Sequence, residues 1–226
     1  FQVEPVGASF AMVNSRQVGA GKALIGWNFG PDGAIYAADW ANGYPLNQTG
    51  AVWKIDVANP DPARTETQSL LKKEAASIPE PELGRLLHHP DQRVRLKAQF
   101  EIVKRNQREL FDAALSGMDQ TLARVHAVWG LGQLARAGDS NSVAKLTSLL
   151  ADSELEIQVQ AAKTIGDLPT GSTSGKALLP LLASDSRRLQ MHAAIALASQ
   201  STPDAVEPLV EVINRVSAVA ADESYL

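Results

Sequence analysis

Arg95-Leu96-Lys97-Ala98-Gln99-Phe100-Glu101-Ile102 carries a pattern that returns further along the chain. Its alanine recurs as Ala127, Ala161 and Ala193, at intervals of 29, 34 and 32 residues. Two residues before each alanine stands Leu96, Val125, Val159 or Met191, and four residues after it Ile102, Leu131, Ile165 or Leu197. A long polar side chain precedes each by three residues: Arg95, Arg124, Gln158 and Gln190. A period in this range marks an array of one repeated supersecondary unit. The alanines are small because neighbouring helices in such a stack approach to about 8–10 Å.

Ahead of each rung lies a second amphipathic stretch. Leu83, Leu86 and Leu87 have i, i+3, i+4 spacing, as do Phe111, Ala114 and Leu115. Val143 with Leu146, Leu149 and Leu150 continues the series, followed by Leu178 with Leu181 and Leu182, and Val206 with Leu209 and Val210. This spacing predicts one apolar stripe per helix. Turn signals separate the stretches at Pro90-Asp91, Gly117, Asp119, Gly138-Asp139-Ser140, Pro169 to Gly175 and Pro203. Ser153 and Glu156 have the spacing of a capping box. Residues 80–226 thus read as an α-solenoid of about four to five helix pairs.

His88-His89-Pro90-Asp91-Gln92-Arg93-Val94-Arg95-Leu96-Lys97-Ala98 resembles a HEAT repeat through its Asp-x-x-Val-Arg-x-x-Ala core. The fold class is therefore mixed and mainly α: HEAT-type helix pairs preceded by a few antiparallel strands.

Those strands lie in residues 1–58, which hold Trp27, Trp40 and Trp53. Ala8 to Val13, Ala23 to Phe29, Ala34 to Ala38 and Gly50 to Val57 read as strands. In the last, Val52 and Lys54 share one face, and Trp53 and Ile55 the other. Gly30-Pro31-Asp32-Gly33 supplies turn chemistry. So short a β segment is marginal alone, and the expectation is that it belongs to a larger sheet assembly. Asn59-Pro60-Asp61-Pro62 opens a connector over 59–79, with a short helix expected at Ser69 to Ala76.

Phe29-Gly30-Pro31-Asp32-Gly33-Ala34-Ile35-Tyr36, Asp39-Trp40 and Gly50-Ala51-Val52-Trp53-Lys54-Ile55 together resemble the final blade of a β-propeller. Their order is similar to the glucose/sorbosone dehydrogenase-like propellers, in particular the membrane-bound dehydrogenase-like family of planctomycetes and verrucomicrobia. In that family a HEAT unit follows the propeller directly, as His88–Phe100 does here. One departure is Asn28, where the family often carries an aspartate. The resemblance implies a bacterial, periplasmic or cell-envelope protein that oxidises sugars or alcohols with pyrroloquinoline quinone and Ca²⁺. It also implies haem c on another domain. Asp39 and Trp40 become candidates for a propeller pocket.

Composition narrows the classes. With 45% hydrophobic and 20% charged residues, the chain can bury a core. A formal charge of −4 argues against a nucleic-acid partner. The absence of cysteine excludes disulfides, thiol catalysis, thiolate metal sites and a Cys-x-x-Cys-His haem attachment within these residues. No apolar run approaches the roughly 18–20 residues of a membrane helix. The chain starts at Phe1 and stops soon after a helical pattern, which suggests a piece of a larger protein.

Sharper motifs fail on spacing. Gly171-Ser172-Thr173-Ser174-Gly175-Lys176 has too few residues between its glycines for a phosphate loop and Ala177 after the lysine. Gly19-Ala20-Gly21 lacks the third glycine of a dinucleotide turn. Asn47-Gln48-Thr49 is a sequon that matters only in a eukaryotic secretory setting. His88-His89 has no spaced acidic partner. His126 and His192 sit one residue before their alanines, where Lys97 and Gln160 also sit. At about 10 Å per unit they lie too far apart to share a metal. Arg95 and Arg124 either pair with carboxylates such as Asp91 or Asp119, or join a partner-binding ridge of Arg95, Lys97, Arg124, His126, Gln160 and His192. No metal site and no complete catalytic constellation emerges. The reading is a non-catalytic HEAT scaffold of a dehydrogenase-like protein that binds protein domains; the alternative is a stand-alone protein-binding HEAT module.

Overall fold

The computed structural model describes residues 2–17, 20–41, 49–118, 120–173 and 175–217. Asp119, Asn47, Gln48, Gly19 and Ser174 lie outside them.

The chain opens with a hairpin of β1 (Gln2–Val6) and β2 (Ser9–Asn14), joined through Gly7-Ala8. Gly7 has φ +57°, which glycine adopts without steric cost. The sequence reading begins its first strand at Ala8 and misses β1. Pro5 obscures it, since proline interrupts a ladder except at an edge.

A three-stranded antiparallel sheet follows in the order β3 (Leu24–Phe29), β4 (Ile35–Asp39), β5 (Ala51–Ile55). Register pairs Trp27 with Ala37 and Ala37 with Trp53, and Phe29 with Ile35 and Ile35 with Ile55. These residues therefore share one face, and Asn28, Tyr36 and Lys54 the other. The turn closes through Gly30 N–H to Ala34 O at 2.8 Å and Gly33 N–H to Gly30 O at 2.9 Å. Gly33 has φ +74°, the conformation its glycine was expected to supply.

The connector is more ordered than expected. It holds α1 (Ala63–Lys72), which starts after Pro62 in a helical φ and ends where Lys73 turns extended. A 3₁₀ turn follows at Ala75–Ser77, so the helix lies earlier than Ser69 to Ala76. Leu70 and Ile78 join the main core.

Helix pairs then follow in turn: α2 (Glu80–Leu86) with α3 (Gln92–Lys104), α4 (Arg108–Leu115) with α5 (Thr121–Arg136), and α6 (Ser140–Ser148) with α7 (Leu155–Gly166). In the fourth pair a 3₁₀ segment, Gly175–Ala183, precedes α8 (Arg187–Ser199). Pro180 lies inside that segment, where its ring and missing N–H oppose an α-helix. The last described helix is α9 (Val206–Ser217).

Consecutive second helices α3, α5, α7 and α8 pack on one another. Ala98, Ala127, Ala161 and Ala193 are fully buried in that layer, as are Ile102, Leu131, Ile165 and, nearly so, Leu197. The close approach extends to glycine. A Cβ on Gly132 would stand 2.3 Å from Thr164 Cγ2, and one on Gly130 would enter the Phe111 ring.

Two local expectations change. The capping box at Ser153 and Glu156 does not form: Glu154 is the N-cap, Asp152 Oδ1 accepts its N–H, and Glu156 is bound by Arg188 and Gln160. In α9 the inward stripe is Leu209 and Val212, while Val206 and Val210 are exposed. A 3₁₀ turn at Pro203–Ala205 precedes the helix and resets its phase.

Sheet and solenoid meet at the β3–β4 turn. Arg93 Nη1, at the start of α3, donates to Gly30 O at 2.5 Å, and Arg64 Nε, in α1, donates to Asp32 O at 2.7 Å. Arg64 also pairs with Asp56 at 2.7 Å. Farther along, the Arg188 guanidinium of α8 lies 5.8 Å from the Phe10 ring centre of β2.

Candidate functional site

Two surfaces carry the residues singled out by sequence: the β3–β5 sheet and the line of ladder side chains.

On the sheet, Asp39 is 7% exposed and fully engaged. Its carboxylate accepts from Trp53 Nε1 at 2.8 Å, Ala41 N–H at 3.0 Å and Ala23 N–H at 3.1 Å. These bonds, the Trp53 one foremost, hold its pKa below the usual carboxylate value. The Trp40 N–H donates to Ala23 O. Lys22 Nζ caps the Trp53 ring from 4.1 Å. The arrangement braces the sheet end and does not fit a quinone or Ca²⁺: Asp39 points its oxygens at indole and amide donors. Among the described residues no group of three or more His, Cys, Asp or Glu could hold a metal.

The apolar face of this sheet is open. Trp27 is 67% exposed and Phe29 52%, with Leu24, Trp53 and Ile55 also exposed. Side chains of this kind are ordinarily covered by a second layer. The opposite face is mixed: it exposes Val52, and beside it Asp32 takes Lys54 at 2.8 Å and Tyr36 OH at 3.0 Å. The Lys54 contact lowers the Asp32 pKa to about 2.

Ladder side chains largely reach between units. Lys97 Nζ donates to Leu70 O and Leu71 O at 2.9 Å and to Lys73 O, closing the C-terminus of α1. His126 is 2% exposed, and its Nδ1 meets Gln99 Oε1 of α3 at 2.8 Å. Its ring crosses Trp129 edge-on with centres 5.0 Å apart. Burial, aided by the Arg95 charge, drives the His126 pKa down to about 4, so it is neutral near pH 7. Gln160 accepts from Trp129 Nε1 at 2.9 Å and donates to Glu156 at 2.8 Å. Glu156 in turn receives both Arg188 Nη atoms. Burial pushes this carboxyl upward, but the Arg188 and Gln160 bonds outweigh it and the net shift is down. His192 is half-buried, and burial followed by the Arg188 and Lys163 charges lowers its pKa.

The two arginines diverge. Arg124 clamps forward onto the next unit, with Nη2 at 2.6 Å from Asp152 and Nη1 at 2.8 Å from Glu154. Pairing with carboxylates near a helix start was expected, but from the following repeat. Arg95 does not pair with Asp91. Its Nη1 donates to His89 O at 2.7 Å and Pro90 O at 2.8 Å. Asp91 instead caps α3 and binds Arg93.

Sequence reasoning missed Gln99, Trp129 and Arg188 and gave Glu156 to a capping box, although these four complete the polar line; it also missed Arg64 and Arg93 at the joint. His88 Nδ1 lies 3.2 Å from Gln120 Oε1, and His89 Nδ1 accepts from the Asp91 N–H.

Residues 143–222 match the HEAT repeats family, about a third of the chain. The helix pairs are HEAT-like. HEAT repeats generally mediate protein–protein contacts, so the coarse role is that of an interaction scaffold. No curated protein matches the sequence. Among solved structures, the crystal structure of an engineered protein from the Northeast Structural Genomics Consortium is similar at 17% identity and TM-score 0.45. That match covers 74% of this chain and 90% of the other. Among the described residues no helix is long and apolar enough to cross a membrane.

Proposed function

We propose that this chain is the interaction arm of a dehydrogenase-like protein, in which the solenoid holds other domains and the β3–β5 sheet continues a β-propeller. The open apolar face of that sheet carries the reading. Trp27, Phe29, Trp53 and Ile55 lie on one side of a sheet whose other side carries Asn28, Tyr36 and Lys54 with Val52, and the solenoid grips it at a turn without covering the aromatic side. A neighbouring blade would cover it. The described strands, three in one sheet and two in another, do not form the expected four-stranded blade, so the reading requires strands from elsewhere in such a protein. In this reading the arm itself is non-catalytic: Asp39, Lys97, Arg124, His126 and Gln160 are engaged in structure. Quinone, Ca²⁺ and haem c would belong to other segments of such a protein, in the periplasm or cell envelope.

The test uses the natural gene product. Blade-forming β segments before these residues, and sugar-dependent dye reduction that requires pyrroloquinoline quinone and Ca²⁺, are expected. A gene product without such blades that captures a protein partner and reduces no dye would leave the stand-alone binding module.

A further inference from the structure

The step from α3 to α5 lacks the acidic pair that closes the step from α5 to α7. Arg124 of α5 binds Asp152 and Glu154, which stand six and four residues before Gln158, the matching ladder position of α7. The same two places before Arg124 hold Met118 and Gln120. Arg95, the ladder arginine of α3, consequently makes no ion pair among the described residues. It is 5% exposed, its Nη1 carries both of its hydrogen bonds to backbone oxygens, and its Nε is buried without a partner. A cation held away from water without a counter-charge is unfavourable. Burial accordingly pushes the Arg95 pKa down.

An open cavity of about 290 Å³ lies at this place, lined by Arg95, His88, His89, Gln120 and Thr121 among others. Its far wall is the first turn of α5, a 16-residue helix with no side-chain cap. Uncapped N–H groups and the positive end of the helix dipole favour an anion there. The guanidinium fork matches a carboxylate in shape. Arg95 is the single arginine or lysine in the lining, so one negative charge balances it.

We infer that this cavity is a carboxylate-binding site, taking an acidic side chain or chain terminus of a peptide partner. The ligand supplies the charge that Asp152 and Glu154 supply one unit later. The site stands whether or not the sheet belongs to a propeller, because every group in it comes from α2 to α5.

Glutarate is the first probe, followed by nuclear magnetic resonance at the Arg95 Nε–H and the amides of Thr121 to Ala123. Saturable shifts at these positions are expected. Gln120→Glu places a carboxylate where Glu154 stands in the next unit; it should weaken glutarate binding at least about tenfold and raise Tm. Two short peptides, one with an internal glutamate and an amidated end and one neutral with a free C-terminus, tell side-chain from terminal recognition. Unchanged glutarate affinity in Gln120→Glu, or shifts scattered away from these residues, would overturn the site. Binding seen only in Asp119→Asn would overturn it too, since the natural occupant would then be this chain's own carboxylate.

Discussion

Replacing Gly130 with alanine should destabilise the protein even though alanine is the better helix former. The added Cβ would stand 2.1 Å from Phe111 Cζ and 2.5 Å from both Cε atoms. Non-bonded carbons rest at about 3.5–4.0 Å, so the ring must retreat by more than about 1 Å. Phe111 is fully buried, and cores pack to crystal-like density, so retreat displaces its neighbours. Overpacking costs about 1–3 kcal/mol, and this contact belongs at the upper end. Helix propensity returns about 1 kcal/mol, leaving a net loss of about 2 kcal/mol, or roughly 4–8 °C in Tm for a chain of this size. Gly84→Ala is the control: its Cβ meets only the end of Leu110, at 3.4 Å. It should stabilise by about 0.5–1 kcal/mol. Thermal unfolding by circular dichroism reads both, and Phe111→Leu in the Gly130→Ala background should recover part of the loss. A Gly130→Ala protein as stable as the parent would refute the close approach of α4 and α5.

His126 sets a pH response. Its folded pKa of about 4 lies below its ordinary 6.5, so the unfolded chain binds more protons between those values. The stabilisation is full above about pH 6.5 and is lost as pH falls toward 4, by up to about 3 kcal/mol. His126→Gln should flatten that slope in urea unfolding between pH 7 and 4.5; an unaltered slope would place the titration elsewhere. Arg124→Gln leaves Asp152 and Glu154 facing each other and should cost about 3 kcal/mol. Adding Asp152→Asn and Glu154→Gln should restore part of it, and no restoration would deny the clamp. Lys97→Met removes the closure of α1, so tryptic cleavage at Lys72 and Lys73 should speed up about tenfold while the helix pairs resist. Equal cleavage rates would show that α1 is held by its apolar side chains alone.

The solenoid was legible because its determinant is local and repeated: a small residue flanked by large apolar ones at helical spacing. Arg95 and Arg124 looked alike in that register, yet their fates differ because their partners lie about one repeat away. The signal was present in the residues six and four places before the long polar position of the following unit, acidic in Asp152 and Glu154 before Gln158 and neutral in Met118 and Gln120 before Arg124. The joint was not legible, since Arg93 and Arg64 bind backbone oxygens that leave no side-chain signature. β1 escaped notice through Pro5, and the α9 stripe through a short 3₁₀ turn that rotates the helix. Asp39 was visible as a candidate, but the Trp53 indole that engages its carboxylate lies a strand away.

The grip of Arg93 and Arg64 on carbonyl oxygens of Gly30 and Asp32 has a consequence for how such a protein can change. A carbonyl oxygen is the same whichever residue bears it, so the attachment responds to the shape of the turn and hardly to its composition. The two glycines of the turn are the exceptions: Gly33 through its positive φ and the Arg64 Nε that would lie 2.7 Å from a Cβ, and Gly30 through the Tyr36 ring, which a Cβ would meet at 2.4 Å. Substitutions across the strands can therefore alter what the sheet packs against while the arm stays fastened at the same angle. Recognition and fastening can drift separately, with the two glycines of the turn as the fixed points between them.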